Sequence, residues 1–451
     1  KLSRYLGVTV DRVATACLFN LDPFLMIVTY VVTTLLALLG LSQVVVVVVL
    51  RRFIRENMIC ESDASGRSEA NLKTPFEPPV AIILSLRGAD PGLEEGLRRL
   101  LTQDYDHYQL VVIVDHPSDP AWEVAHRVSR EFDAKRVCIQ EIRNRSGRCG
   151  LKCSALIQAV ESLDDSVDIV VFSDADVVVA KDWLRTLIAP LQEATVGLAT
   201  GAQWFAPSDR SFGSWVRSIW NAGASVPTIL LHHPWAGSCA MRRRDLLRSG
   251  LLDRWRESII DDGPMVDAIT GLGLKLRFVS NAWMVNRESC SLRFTVRYIQ
   301  RMLTWSRLYE STYLLTVLHS LLTSISMSLA MLNMATSAVQ GNWRSMIVSG
   351  MGLGIFLGLS AFGYFGIQYL IRYCARRRGD DVPSTDPLTF GVLTLSLPLT
   401  YWIYGWAAVT ALGVRHVKWR GVEYRLKSCR QVEMTHYQPF QADSTQTGQS
   451  I

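Results

Sequence analysis

At 451 residues, 49% of them hydrophobic and 20% charged, the chain is longer than one compact domain needs and too apolar for an ordinary soluble protein. The net charge is only +6. Its basic residues cluster beside apolar runs, which argues against nucleic-acid binding and fits the positively flanked side of a bilayer. Nine cysteines, an odd number without a C-x-x-C pair, argue against a disulfide or zinc framework and read as reduced thiols.

In chain order, the first element is the run from Pro23 to Leu50, free of charge and longer than the roughly 20 residues that span a bilayer. It lacks a small-residue cleavage site and reads as a retained anchor within an N-terminal region 1–56. Arg51, Arg52 and Arg55 follow it and assign its carboxyl-terminal side to the cytoplasm. A polar linker, 57–79, leads into a zone (80–290) where strand-like and helix-like segments alternate. VAIILSL (Val80–Leu86), LVVIVD (Leu110–Asp115), the run ending in Phe172 and VGLATG (Val196–Gly201) read as buried strands. The stretches after Leu93, Pro120–Phe132 and Lys152–Ser162 read as helices. This alternation predicts an α/β domain, a mostly parallel sheet with helices on both faces.

Beyond it, residues 291–309 form an amphipathic helix. Arg293, Arg297 and Arg301 make a basic stripe, with Leu292, Val296, Ile299 and Leu303 on the apolar side, a pattern suited to a membrane interface. Residues 310–378 predict a transmembrane hairpin, Tyr313–Val339 and Met346–Ile371, ending in Arg372 and Arg376–Arg378. The segment 379–414 is harder. A simple crossing of Leu388–Val414 would put Arg415, Lys418, Arg420, Arg425 and Lys427 outside. The favoured expectation is a re-entrant or interfacial segment, broken into two short helices at Pro398. The region 415–451 is then a basic cytoplasmic segment with a polar, disordered tail after Pro439.

Ligands of open α/β sheets bind at the carboxyl ends of the strands. Asp90, Asp115, Asp119, Asp174 and Asp176 all fall at or just after such ends. No G-x-G-x-x-G or G-x-x-x-x-G-K-[ST] loop is present, which disfavours a dehydrogenase or a P-loop enzyme. The DAD of VVFSDADVVV (Val170–Val179), taken alone, is equally well a turn or a helix cap. Several carboxylates at one rim instead suit Mg2+ or Mn2+ with the diphosphate of a nucleotide-sugar, because such hard cations take one or two carboxylates and complete their shell with phosphate oxygens and water. Lys152 either adds a cation near those phosphates or is a solvated lysine at a helix start. Asp261 and Asp262 open a helix whose dipole they suit, and a carboxylate there can also deprotonate a sugar-accepting hydroxyl.

The ordered set DPA (Asp119–Ala121), GLK (Gly150–Lys152), DAD (Asp174–Asp176), GSCAMRR (Gly237–Arg243), DD (Asp261–Asp262) and QRMLTW (Gln300–Trp305) resembles the membrane-bound family-2 glycosyltransferases of the GT-A fold, in their ceramide glucosyltransferase-like branch. VKWRGVEYRL (Val417–Leu426) resembles the terminal segment of that branch. The resemblance implies a GT-A Rossmann-like nucleotide-sugar transferase domain with N- and C-terminal transmembrane helices. It implies Asp119 on the base side of the donor, Asp174 at the donor ribose or sugar and at the metal, Asp176 as chief metal ligand and Asp262 as catalytic base. It implies Arg301 and Trp305 near the diphosphate and acceptor. One departure stands out: the second arginine of the family's R-x-x-R-W motif is Thr304 here. The implied activity is inverting transfer of a sugar, from a UDP-sugar, to a membrane lipid at the cytoplasmic face of a bacterial inner membrane or of Golgi or ER. The alternatives are a processive synthase of the cellulose or hyaluronan type and a non-catalytic membrane scaffold.

Overall fold

A computed structural model describes residues 26–55, 76–207, 209–230, 232–377 and 387–440. The tail beyond residue 440, most of the linker and Arg378 lie outside the described residues. Helix α1 (Met26–Arg55) precedes β1 (Val80–Leu86), α2 (Leu93–Leu101), β2 (Tyr108–Val114), α3 (Pro120–Ser129), β3 (Val137–Glu141), α4 (Leu151–Glu161), β4 (Ile169–Ser173), α5 (Trp183–Ile188), β5 (Val196–Thr200) and β6 (Gln203–Phe205). Next come α6 (Phe212–Leu230), β7 (Ser238–Arg242), α7 (Arg243–Arg248), α8 (Leu251–Trp255), α9 (Gly263–Thr270), β8 (Lys275–Phe278) and β9 (Met284–Asn286). The chain closes with α10 (Leu292–Tyr309), α11 (Tyr313–Gln340), α12 (Trp343–Arg377), α13 (Pro387–Ala411), β10 (His416–Trp419), β11 (Val422–Ser428) and β12 (Gln431–Tyr437).

The central sheet runs β3-β2-β1-β4-β7-β5-β8. It is parallel except at β7, which pairs antiparallel with both β4 and β5. The apolar runs are continuous because both faces are covered. Successive residues go to opposite sides, as the pleat requires. Ala81, Ile83, Val111, Ile113, Val170 and Phe172 pack with α4, α8 and α9. Val80, Ile82, Leu84, Leu110, Val112 and Val171 pack with α2, α3 and α5. The order brings the ends of β2, β1 and β4 together at one rim, so the segments after them converge.

Among the described residues four helices, α1, α11, α12 and α13, are long and apolar enough to cross a membrane. The α11–α12 hairpin turns at Gly341 in left-handed backbone, between the expected segments Tyr313–Val339 and Met346–Ile371. The predicted break at Pro398 is corrected, for α13 is one continuous helix with the proline inside it. It packs against α6, α10 and α11, and this packing outweighs the missing N–H. In α13, 44% of the most apolar window is buried against protein, compared with 17% in α1 and 28% in α11 and α12. The basic segment after it is folded. Residues 416–437 form a three-stranded antiparallel sheet, β10-β11-β12, and Val422, Tyr424, Leu426 and Val432 join the core beside α4.

Candidate active site

At the rim of the sheet lies a cavity of about 300 Å³. Asp90 lies in the loop after β1, Asp115 directly follows β2, and Asp174 and Asp176 follow β4; all four line it. Asp261 and Asp262, from the segment leading into α9, close the opposite wall, while Tyr298, Arg301 and Trp305 of α10 and Trp419 and Arg420 of the C-terminal sheet complete it.

Two glycines bring the acidic groups within reach of one another. The Gly150 N–H donates to the Ser258 carbonyl (2.8 Å), and a Cβ on Gly150 would stand 2.3 Å from the Ile259 oxygen. A Cβ on Gly237 would stand 2.5 Å from Asp174 Oδ2. Lys152, in the first turn of α4, thereby reaches Asp174 Oδ1 at 2.6 Å and Asp261 Oδ2 at 2.8 Å. Burial lowers its pKa, but the two carboxylates outweigh burial and hold the ammonium well above its ordinary value. Lys152 is therefore neither a solvated lysine nor a free cation; it ties the DAD turn to the segment carrying Asp262.

That segment is anchored from below. Trp255 packs edge-on against Phe172 (5.5 Å between centroids), a contact worth about 0.5–1.5 kcal/mol beyond its buried area, and its indole N–H donates to the Asp261 carbonyl (2.8 Å). Tyr309, at the end of α10, shares a 2.6 Å hydrogen bond with the Ser258 hydroxyl and accepts from the Ile259 N–H (3.1 Å). Asp262 occupies the N-cap position of α9 yet makes no side-chain cap bond. Burial and the Asp261 charge push its pKa up to about 7, against the opposing pull of Lys152. Of the two neighbouring carboxylates, one is paired and the other faces the cavity poised to exchange a proton near neutrality.

Asp176 differs from Asp174 in having no ion-pair partner among the described residues. The amides of Gln203 (3.4 Å) and Asn286 (3.2 Å), brought together by the β6–β9 pair, donate to its Oδ2. Loss of solvent, Asp174, Glu288 and Asp90 push its pKa up to about 7, a carboxylate short of positive charge. No group of three His, Cys, Asp or Glu side chains able to hold a metal occurs among the described residues. One or two carboxylates beside room for phosphate is the donor set Mg2+ or Mn2+ takes, in contrast to an all-protein cage. Six aspartates face four cations, Arg87, Lys152, Arg301 and Arg420, around the cavity, so a divalent cation also fits the charge balance.

Asp119 does not line the cavity. Its carboxylate caps α3 through the Ala121 N–H (2.8 Å) and accepts from the Gly88 N–H (2.8 and 3.0 Å), because the first N–H groups of a helix opening on Pro120 need an acceptor. It shapes the loop after β1, where Gly88 holds φ +79°, from behind the wall. The basic stripe of α10 also divides, since Arg293 and Arg297 are exposed whereas Arg301 enters the cavity. Thr304 is fully buried and its hydroxyl donates to the Gln300 carbonyl (2.8 Å), so position 304 is turned away from the cavity.

Reading the residues in order also missed Arg87 and the C-terminal wall. Arg87 is buried and pairs with Asp115, which also accepts from Tyr437 at 3.1 Å. Arg87 donates to the carbonyls of Arg420 (2.9 Å from Nε) and Gln438 (2.5 Å). The alternation in VKWRGVEYRL around an Arg-Gly turn was the available signal for a hairpin.

Fold and site together define a GT-A glycosyltransferase domain joined to long apolar helices. The family described as "Glycosyl transferase family 21" matches residues 31–432, and the chain belongs to that family. Among solved structures, the mannosyltransferase PcManGT from Pyrobaculum calidifontis, in complex with GDP-Man and Mn2+, is 16% identical, with 84% of this chain and 99% of that chain covered and a TM-score of 0.41. Glucosyl-3-phosphoglycerate synthase from Mycobacterium tuberculosis, in complex with Mn2+ and UDP-glucose, is 16% identical, with 55% of this chain and 82% of that chain covered and a TM-score of 0.34.

Proposed function

We propose that this glycosyltransferase moves a sugar from a UDP-sugar to the hydroxyl of a membrane lipid, with inversion, in the manner of a ceramide glucosyltransferase. The observation that carries the reading is the pairing of Asp261 with Lys152 while the adjacent Asp262, pushed to a pKa of about 7, faces the same cavity as Asp174 and Asp176. Asp262 takes the proton of the acceptor hydroxyl as its oxygen bonds to the anomeric carbon. The bond from that carbon to the phosphate oxygen breaks on the far face, and the nucleoside diphosphate departs with both bonding electrons. A divalent cation, Mg2+ or Mn2+, held by Asp176 and Asp174, neutralises charge on that diphosphate when bound. Lys152 orients Asp174 and Asp261 through its two ion pairs, and Arg301 and Trp305 line the side of the cavity built on α10.

The acceptor class follows from what surrounds the cavity. Helix α10 contributes to its wall and packs on α13 through Gln300 and Thr410 (2.9 Å), so the site opens beside apolar helices. The arginines at the end of α1 and near the end of α12 argue for a cytoplasmic catalytic domain. With α1, α11 and α12 crossing, α13 lies in the same interface as the domain: its Leu393 and Leu397 pack with Trp204 and Phe278, its Ala407 and Ala411 pack with Ile299 and Leu303, and the sheet after it docks on the catalytic side. Incubating the purified full chain with labelled UDP-sugars and a total lipid extract tests the proposal. A labelled lipid carrying one sugar is expected; long polymer, or no transfer to lipid with any donor, overturns it.

A further inference from the structure

Accepting the donor reading above, we propose that Arg420, on the turn between β10 and β11, is a donor-binding residue that presents its guanidinium to the nucleoside diphosphate beside Arg301. The C-terminal sheet that carries it is bound to the catalytic domain along its length. Tyr424 accepts from the Leu151 N–H (3.0 Å), the Met434 N–H donates to the Gly147 carbonyl (2.7 Å), and Tyr309 donates to the Cys429 carbonyl (3.1 Å). Arg87 grips the turn itself through the Arg420 carbonyl. These contacts hold the sheet in place beside those of the Arg420 side chain itself, which donates to the Arg87 carbonyl and pairs with Asp90.

The turn is also built to aim that side chain. Arg420 adopts φ +44° and Gly421 φ +82°, left-handed backbone that disfavours a side chain at the first of these positions. Trp419 (5.7 Å) and Phe440 (5.8 Å) pack against the guanidinium, and Asp90 Oδ1 pairs with Nη2 at 2.6 Å. The Arg420 side chain is only 12% exposed and still lines the cavity.

Its neighbour across the cavity supplies the decisive observation. Arg301 forms no ion pair among the described residues; its pKa is lowered to about 10, first by burial and further by the charge of Arg420, with Tyr298 opposing. On this side of the cavity Arg301 has no ion-pair partner among the described residues and Arg420 has Asp90 alone, so a local anion fits between them even though the cavity as a whole is rich in carboxylates. A diphosphate beside Asp174 and Asp176 supplies it with two phosphoryl groups, and planar guanidinium groups suit phosphate oxygens. With Thr304 turned inward, α10 contributes one cation to the cavity where the family motif has two, and Arg420 provides the second from another part of the chain.

The test compares UDP with uridine, using the full-length protein in detergent at saturating Mn2+. Calorimetry gives Kd for UDP, and displacement gives Kd for uridine. Arg420→Ala should weaken UDP by roughly ten- to a hundredfold, the usual loss of a hydrogen-bonded charged partner, while uridine changes little. Asp90→Asn, which breaks the ion pair and frees the arginine, should leave UDP binding intact or tighter. Hydrogen exchange over residues 422–428 reports whether the sheet stays docked. An unchanged UDP-to-uridine affinity ratio in Arg420→Ala overturns the proposal, as does an equal loss of UDP in both variants with the sheet released, which would make Arg420 a latch only. A wild-type protein that binds no nucleotide would instead overturn the donor reading itself.

Discussion

Replacing Asp262 with asparagine keeps the shape of the side chain and removes only its ability to take a proton. Losing a general base typically costs about 10²–10⁴-fold in rate, or roughly 2.7–5.4 kcal/mol of barrier at 1.36 kcal/mol per tenfold. The wild-type profile should report the same group. Asp262 must be ionised to accept the proton and its pKa is about 7, so kcat rises with pH through that value and falls about tenfold per unit below it. Asp262→Asn should be slow and lack that acid limb. Asp261→Asn provides the contrast. It removes the neighbouring charge, the second largest cause raising the Asp262 pKa, and weakens the hold on Lys152, whose positive charge is then shared mainly with Asp174. The acid limb should move to lower pH, with a smaller change in plateau rate. The assay is transfer of labelled sugar across pH 5–9 in detergent, with UDP affinity by calorimetry separating lost chemistry from lost binding. An Asp262→Asn enzyme that transfers at near wild-type rate, or that keeps the acid limb, refutes the assignment.

Asp176→Ala should abolish transfer and the divalent-ion dependence of UDP binding, and full activity of the wild type in excess chelator would show that the carboxylates serve another purpose. Gly150→Ala should push α4 away from Ile259, whose oxygen stands 2.3 Å from the added Cβ; we expect destabilisation of about 1–3 kcal/mol and loss of activity beyond what the fall in Tm explains, measured by thermal unfolding beside the transfer assay. A cysteine at position 418, in the exposed β10 strand, should react with an impermeant maleimide only from the side carrying the catalytic domain; labelling only from the other side would mean that α13 crosses.

The apolar runs of the α/β domain were legible because a strand buried on both faces must be continuously hydrophobic. Val80–Leu86 was read residue for residue, β2 and β5 to within two residues at either end, and β4 to within one residue of its carboxyl end. The long apolar helices were legible as well, since each is a run of sufficient length with little charge. The carboxylates at the strand ends stood out because charge after a buried strand needs a partner. What the order of residues could not decide was which partner each group takes. Lys152 could equally be a cation near the phosphates or a solvated helix-start lysine until Gly150 and Gly237 allowed three segments, well separated in the chain, to close around it. Asp119 looked like its neighbours at the rim, but the N–H groups of Gly88 and Ala121 consume its carboxylate. Pro398 breaks an isolated helix, yet α13 stays whole because surrounding helices supply the support that a local rule omits. Arg420 lies 330 residues from Asp90, and no local pattern links them. The sequence by itself determined the elements, their polarity and the chemical types at the rim, which depend on neighbours within a few residues. Only the tertiary structure decided which charges are spent on one another and which remain turned toward the cavity, because pairing and desolvation depend on distance in space.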